Sequence, residues 1–135
     1  MADYDLIIVG SGPAGMTAAI YGARANLSVL MLDKLAPGGQ IINTNEIQNY
    51  TGAGFINGAE LAIQMFEHTQ KLNVAFDYRT VEEIRLLENG EKQVLCKEEE
   101  KVYTARAVLL ATGTRPRMLN VPGEKEFVWQ RLCTL

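Results

Sequence analysis

A short apolar segment runs directly into three glycines near the start of the chain. Residues 4–9 read Tyr-Asp-Leu-Ile-Ile-Val, and Gly10, Gly12 and Gly15 follow with the spacing G-x-G-x-x-G. A buried strand, a glycine turn and a helix in this order bind a dinucleotide pyrophosphate through backbone geometry. Gly10 permits the tight turn, Gly12 lets the main chain approach the phosphates, and Gly15 lets the helix pack close to its strand. The free N–H groups and the dipole at the helix start favour the anion.

An acidic residue follows at the distance that such a site requires. Residues 28–32 indicate a second buried strand, which ends at Asp33. A carboxylate about twenty residues beyond the glycines can accept hydrogen bonds from a ribose diol. The segment from Asp5 to Asp33 is therefore predicted to form a right-handed βαβ unit, with Asn26 ending its helix in a left-handed conformation.

The remaining pattern completes an α/β prediction. After a Gly- and Asn-rich loop over 34–58, a helix is predicted from the N-cap Asn57 to Leu72, closed by Asn73. Further strands are predicted at 74–78, 81–87, 92–97, 102–105 and 107–111, with an Asn89-Gly90 hairpin turn. The sequence thus predicts a doubly wound, Rossmann-like parallel sheet with an antiparallel three-stranded β-meander.

Size and charge exclude several classes of function. With 135 residues the chain is predicted to form one domain, and a net charge of −3 provides no field that attracts nucleic acid. No apolar run approaches the roughly twenty residues that span a bilayer. Asp3 and Asp5 stand where a secretory signal would be basic, so a cytoplasmic location is expected. Cys96 and Cys133 lie far apart, and the sequence implies no metal site.

Five segments in order resemble one family, and together they cover most of residues 3–127. The segments are 8–15 (IVGSGPAG), 37–40 (PGGQ), 47–50 (IQNY), 111–113 (ATG) and 122–124 (PGE). This ordered set resembles the flavin-binding domain of low-molecular-weight thioredoxin reductase, within the pyridine nucleotide-disulphide oxidoreductases. A single motif would be compatible with many families, whereas the set is specific.

The resemblance implies FAD as the cofactor and a role for each segment. The glycine loop would hold the pyrophosphate, Asp33 the adenosine ribose, and Val81 the adenine. Gly39 and Gln40 would run along the ribityl chain, Asn49 would lie near the isoalloxazine, and the 111–113 turn would pack against the cofactor. The candidate cofactor-binding residues are Gly10, Ser11, Gly12, Pro13, Ala14, Gly15, Asp33, Lys34, Gly39, Gln40, Asn49, Val81, Ala111, Thr112 and Gly113. No catalytic residue is predicted.

In the full-length family, electrons would pass from NADPH through FAD to a disulfide substrate such as thioredoxin, and the proteins are generally homodimers. Residues 1–126 are predicted to form the amino-terminal portion of the FAD-binding domain, and 127–135 an irregular tail. The family's nicotinamide domain and its C-x-x-C are expected to be missing, since Cys133-Thr134-Leu135 resembles only the first half of such a pair. One hypothesis is a reading-frame slip after Phe127. The fragment alone is expected to bind FAD weakly, to associate and to be inactive in disulfide reduction.

Two other interpretations remain open. The glycine fingerprint and Asp33 also suit an NAD-binding dehydrogenase domain, although the meander and the two glycine-containing turns favour a longer cofactor. A non-catalytic interpretation is a truncated remnant, or a flavin-binding module that another chain completes. Bound yellow colour, nicotinamide binding or activity restored in trans would separate these alternatives.

Overall fold

The computed structural model describes residues 2–98, 101–115 and 117–124. Its elements in chain order are β1 (Tyr4–Val9), α1 (Pro13–Arg24), β2 (Val29–Asp33), a 3₁₀ helix (Gly39–Asn43), α2 (Gly58–Lys71), β3 (Ala75–Tyr78), β4 (Val81–Leu86), β5 (Lys92–Cys96) and β6 (Val102–Leu110). The sheet order is β3-β2-β1-β6-β5-β4, in which β3, β2, β1 and β6 are parallel and β6, β5 and β4 are antiparallel. The predicted α/β class, with a parallel sheet and a β-meander, is confirmed.

The two faces of the parallel strands are covered by different layers. Side chains alternate along a strand, so Ile8 packs toward α1 with Met16, while its neighbour Ile7 packs toward the meander with Val94 and Tyr103. All five are buried. The helices therefore close one face of the sheet and the meander closes the other, which leaves the carboxyl ends of the strands as the open edge.

The helix ends lie at the predicted residues. The Asn57 side chain accepts a hydrogen bond from the Ala59 N–H and caps α2. Asn26 and Asn73 follow the two helices with φ of 60° and 58°, the left-handed conformation that asparagine tolerates. Local capping chemistry in the sequence was sufficient to predict these boundaries.

The strands predicted at 102–105 and 107–111 form one continuous strand. Ala105 pairs with Lys92 of β5 and also with Tyr4 of β1, so the ladder passes from the meander into the parallel sheet without a break. Beyond Ala105, among the described residues, β6 is paired only on its β1 side. Leu110 is consequently 66% exposed, although an uninterrupted apolar run such as 107–111 is typical of the interior of a parallel sheet.

This apolar edge leads to a prediction about association. An unpaired strand edge with exposed leucines is a template for intermolecular pairing. Leu110→Lys is expected to lower self-association of the 135-residue chain several-fold in sedimentation velocity, because a charge on the edge opposes pairing. Leu27→Lys, at a half-exposed leucine between α1 and β2, is the control. Equal association of both variants would contradict this role of the edge.

Two further predictions from the sequence concern the tail over 127–135 and the absence of a membrane-spanning segment. The predicted irregular tail over 127–135, with Cys133, lies outside the described residues. Within the described ranges, none of the helices combines the length and apolarity needed to cross a membrane.

Candidate functional site

A cavity of about 930 Å³ lies at the carboxyl ends of the parallel strands. This volume falls within the range of about 300–1,000 Å³ that is typical of small-molecule sites. Five stretches of chain form the wall. They are Val9–Ala14 without Ser11, Leu32–Ala36, Gly39–Asn43, Arg79–Val81, and Ala111–Arg115. Ligands of open α/β sheets bind at this edge.

The start of α1 lies in the wall of this cavity. Gly12 is the N-cap residue, no side chain caps the helix, and the first turn contains no acidic residue. Pro13 at the first helical position has no N–H to satisfy. The amides of the first turn and the positive end of the helix dipole therefore face a space that suits an anionic group.

Gly10 brings the end of β6 against the glycine loop. Its φ is +106°, and a Cβ at this residue would lie 2.3 Å from the Ala111 carbonyl oxygen. The Ala111 N–H donates to the Val9 carbonyl at 2.8 Å. A side chain at residue 10 would therefore displace the 111–113 turn, which forms one wall of the cavity.

Ser11 holds the carboxylate that ends β2. Its N–H and its hydroxyl both donate to Asp33 Oδ2, at 2.7 and 2.8 Å, and Ser11 is fully buried. Asp33 Oδ1 accepts a longer bond of 3.2 Å from the Leu35 N–H. A carboxylate offers about four acceptor positions, so about one remains for a ribose hydroxyl. Asp33 lines the cavity with most of its hydrogen-bonding capacity already in use.

The loop after β2 approaches the helix start from the opposite side. The Gly38 N–H donates to the Ser11 carbonyl at 2.9 Å. A Cβ on Gly39 would lie only 3.3 Å from the Gly12 Cα. Gln40 also lines the cavity, and its side-chain oxygen accepts a bond from Asn43 Nδ2 at 3.3 Å. The two glycines therefore let the backbone of the loop lie close against the backbone of the helix start.

The remaining end of the cavity is formed by the link between β3 and β4. The Arg79 N–H donates to the Asp33 carbonyl at 2.9 Å, and Thr80 and Val81 follow along the wall. Cys96 pairs with Val81 and is buried, and burial raises the pKa of its thiol. A buried, protonated thiol is a poor nucleophile, so Cys96 is a core residue beside this end of the cavity.

The structure brings most of the candidate residues into this one cavity. Ser11 and Gly15 lie beneath its wall, and Asn49 does not line it. Asn49 is exposed, in the excursion of chain between the bridged residues Ile47 and Ile56, and its role near a flavin stays a prediction. The lining residues 10, 12–14, 33–34, 39–40, 81 and 111–113 were all candidates.

Sequence reasoning missed other residues of the wall. Arg79 and Thr80 carry no motif, but both directly precede Val81, and Thr114 and Arg115 directly follow the 111–113 turn. The 3₁₀ helix places Ile41, Ile42 and Asn43 at the cavity, because its turn continues the Gly38-Gly39 bend. These residues could have been predicted because each of them lies next to a candidate residue in the sequence.

The sequence profile of the pyridine nucleotide-disulphide oxidoreductases matches residues 4–135. The chain therefore belongs to this family. Within it, the chain is 46% identical over 123 residues to the thioredoxin reductase of Bacillus subtilis and 43% identical over 124 residues to that of Ureaplasma parvum. These matches cover 91% and 92% of this chain but only 38% and 39% of the relatives.

Solved structures of thioredoxin reductases also match this chain over about two fifths of their own length. The thioredoxin reductase of Lactococcus lactis matches with a TM-score of 0.83 and 40% identity over 93% of this chain and 41% of its own. The thioredoxin reductase of Streptococcus pyogenes matches with a TM-score of 0.82 and 48% identity over 92% of this chain and 40% of its own. The chain thus spans about two fifths of the length of the relatives that it matches.

Proposed function

We propose that this chain is the FAD-binding portion of a thioredoxin-reductase-like flavoprotein. The observation that carries the proposal is the cavity whose wall contains an uncapped helix start, a ribose-type carboxylate and two glycine-containing turns. In this proposal the first turn of α1 binds the pyrophosphate and Asp33 binds the adenosine ribose. Val81 contacts the adenine, and Gly39, Gln40 and Ala111–Gly113 face the flavin end.

The residues present fit an extended dinucleotide. A Cβ at Gly12 would meet nothing closer than the Gly39 Cα at 4.0 Å, so the space in front of the helix start is open to a phosphate, and the 39–40 and 111–113 turns line the same cavity. Bound FAD would supply two-electron chemistry, while the protein positions it and sets its electrostatics. In this proposal the chain's own residues bind the phosphates at the start of α1 and orient the ribose through Asp33.

The activity of a whole protein of this kind is part of the same proposal. We infer that electrons pass from NADPH through FAD to a disulfide, with thioredoxin as the substrate that the names of the relatives suggest. Homodimerisation, a cytoplasmic location and the absence of nucleic-acid and membrane partners belong to this proposal as well. The 135-residue chain alone is expected to be inactive in disulfide reduction, because it spans only about two fifths of the length of the thioredoxin reductases that it matches.

The test is a visible absorption spectrum of the purified chain after addition of FAD and removal of free ligand. A retained band near ~450 nm is expected for a bound flavin. Because the affinity is expected to be weak, an equilibrium titration that follows quenching of flavin fluorescence accompanies it. Saturable quenching supports the proposal, and its absence at millimolar protein would contradict it.

The same titration separates FAD from a nicotinamide cofactor. A hundredfold excess of NAD⁺ over FAD is expected to leave most of the FAD bound, because the flavin end of the cavity gains contacts only from the longer cofactor. Complete displacement by NAD⁺ would instead support the dehydrogenase alternative. Disulfide reductase activity that appears only after addition of a separately expressed remainder of a relative would show that the chain is a module.

A further inference from the structure

A glutamate outside the cavity binds a backbone group of the cavity wall. Glu98 lies between β5 and β6, and its carboxylate accepts a hydrogen bond of 2.8 Å from the Thr80 N–H. Thr80 lies between β3 and β4 and lines the cavity, whereas Glu98 does not. The main-chain donor and then the side-chain donor of Thr80 lower the pKa of Glu98. Glu98 therefore accepts as a carboxylate, which forms shorter and stronger hydrogen bonds than a neutral acceptor.

The segment that contains Glu98 holds the link between β3 and β4 at further points. The Lys97 N–H donates to the Thr80 carbonyl at 2.9 Å. Cys96, directly before Lys97, is buried and pairs with Val81. Residues 96–98 of the meander thus bind Thr80 and Val81, and the buried residue among them anchors this contact in the core.

The other side of the link is held by the parallel sheet. The Arg79 N–H donates to the Asp33 carbonyl at 2.9 Å, and the Tyr103 hydroxyl on β6 donates to Asp77 Oδ2 on β3 at 2.5 Å. Only residues 79 and 80 separate the end of β3 from the start of β4. The N–H of Thr80 is bound by a side chain rather than by a neighbouring strand. The orientation of this amide therefore depends on the side chain that accepts from it.

We propose that Glu98 is a positioning residue: it holds Thr80 so that the link over 79–81 presents a preformed wall to the adenine. The inference rests on the proposed function, in which Val81 contacts the adenine, and it adds a residue that acts through Thr80 without touching the cofactor. When only a fraction of the molecules has the binding-competent wall, the apparent affinity falls by that fraction. Loss of Glu98 is therefore expected to weaken binding of the adenosine half of the cofactor alone.

The sign of the effect separates positioning from electrostatics. A carboxylate near the cavity repels an anionic ligand, so removal of its charge alone would strengthen the binding of a cofactor that contains phosphate. Loss of the wall at Thr80 weakens this binding instead. A fall in affinity on removal of Glu98 is thus the opposite of what the change of charge produces.

The experiment compares FAD with FMN on the whole 135-residue chain. FMN has the flavin, the ribityl chain and one phosphate of FAD but no adenosine, so it reports on the rest of the cavity. Titrations that follow flavin fluorescence give the Kd of each cofactor, and urea unfolding shows whether each variant is folded. In Glu98→Ala the affinity for FAD is expected to fall about tenfold, which corresponds to a competent fraction of about one tenth, while the affinity for FMN stays the same.

Two conservative variants test the chemistry of the contact. Glu98→Gln keeps a side-chain oxygen at the same length and is expected to restore most of the affinity for FAD. Glu98→Asp keeps the charge but withdraws the carboxylate by one methylene, so the ratio of the FAD affinity to the FMN affinity is expected to fall as in Glu98→Ala. If Glu98→Ala fails to fold, the ratio in Glu98→Asp decides the proposal.

Glu82→Ala is the matched control. Glu82 directly follows Val81 on β4, is exposed and does not line the cavity. Its replacement removes the same charge close to the adenosine end, and the ratio of affinities is expected to equal that of the unmodified chain. A fall as large as in Glu98→Ala would overturn the inference, since a change of charge or a disturbance of β4 would then explain both results.

The outcomes separate this inference from the function on which it rests. An unmodified chain that binds FAD more tightly than FMN, with an unmoved ratio in folded Glu98→Ala, overturns the positioning role alone. An equal fall in both affinities also overturns it, because Glu98 would then support the whole domain rather than the adenine wall. An unmodified chain that binds neither FAD nor FMN overturns the proposed function, and this inference with it.

Discussion

Gly12→Ala is expected to weaken FAD binding by about 100-fold and to leave the fold intact. A Cβ on Gly12 meets only the Gly39 Cα, at 4.0 Å, which is an ordinary contact, and the φ of −72° suits any residue. In the proposed complex the methyl group would instead lie where the pyrophosphate approaches the first turn of α1. Loss of one or two charge-assisted bonds to phosphate corresponds to about 2.7 kcal/mol. Flavin fluorescence quenching measures the affinity, and urea unfolding measures the stability.

Gly54→Ala is the control for this substitution. It adds the same methyl group at a residue whose Cβ would meet nothing within 4 Å and which does not line the cavity. Its FAD affinity is expected to equal that of the unmodified chain. An unfolding free energy of Gly12→Ala within about 1 kcal/mol of the original is expected for an N-cap change from Gly to Ala. Undiminished FAD binding by folded Gly12→Ala would contradict the pyrophosphate assignment.

Much of the fold could be predicted because local chemistry determined it. Asn26, Asn57 and Asn73 predicted helix boundaries that the structure confirms, since capping depends on a few neighbouring atoms. The pattern of apolar residues predicted the strands of the parallel sheet and the meander. The cavity also contains candidates from five separate segments, because each candidate lies at or next to the end of an element whose position the topology fixes.

What the sequence did not predict depends on pairing between distant segments. The exposed edge of β6 arises because the β5 ladder ends at Ala105, and residues 107–111 carry the same apolar pattern whether or not a strand covers them. The bond between Tyr103 and Asp77 joins residues in different layers, so no local spacing indicates it. A motif likewise does not specify that the Ser11 N–H and hydroxyl both donate to Asp33, because these bonds depend on side-chain geometry.

Gly15→Ala is expected to destabilise the chain by about 3 kcal/mol or more, although it belongs to the same motif as Gly12. A Cβ on Gly15 would lie 1.9 Å from the Gly10 carbonyl oxygen and 3.3 Å from the Ile8 side chain. The first obstacle is backbone, which no rotamer change can relieve, so α1 must move away from β1. Overpacking of this kind costs about 1–3 kcal/mol and occasionally more. The free energy of unfolding in urea is the measurement.

Gly54→Ala again isolates the effect of the clash. Its φ of +64° disfavours alanine, so a cost of about 1 kcal/mol is expected from backbone strain alone. The excess for Gly15→Ala over Gly54→Ala therefore measures the close packing of α1 on β1. If the two variants were equally stable, contact between α1 and β1 would not be the reason why residue 15 is a glycine. If Gly12→Ala and Gly15→Ala lost stability to the same extent, the distinction between a ligand-facing and a packing glycine would be wrong.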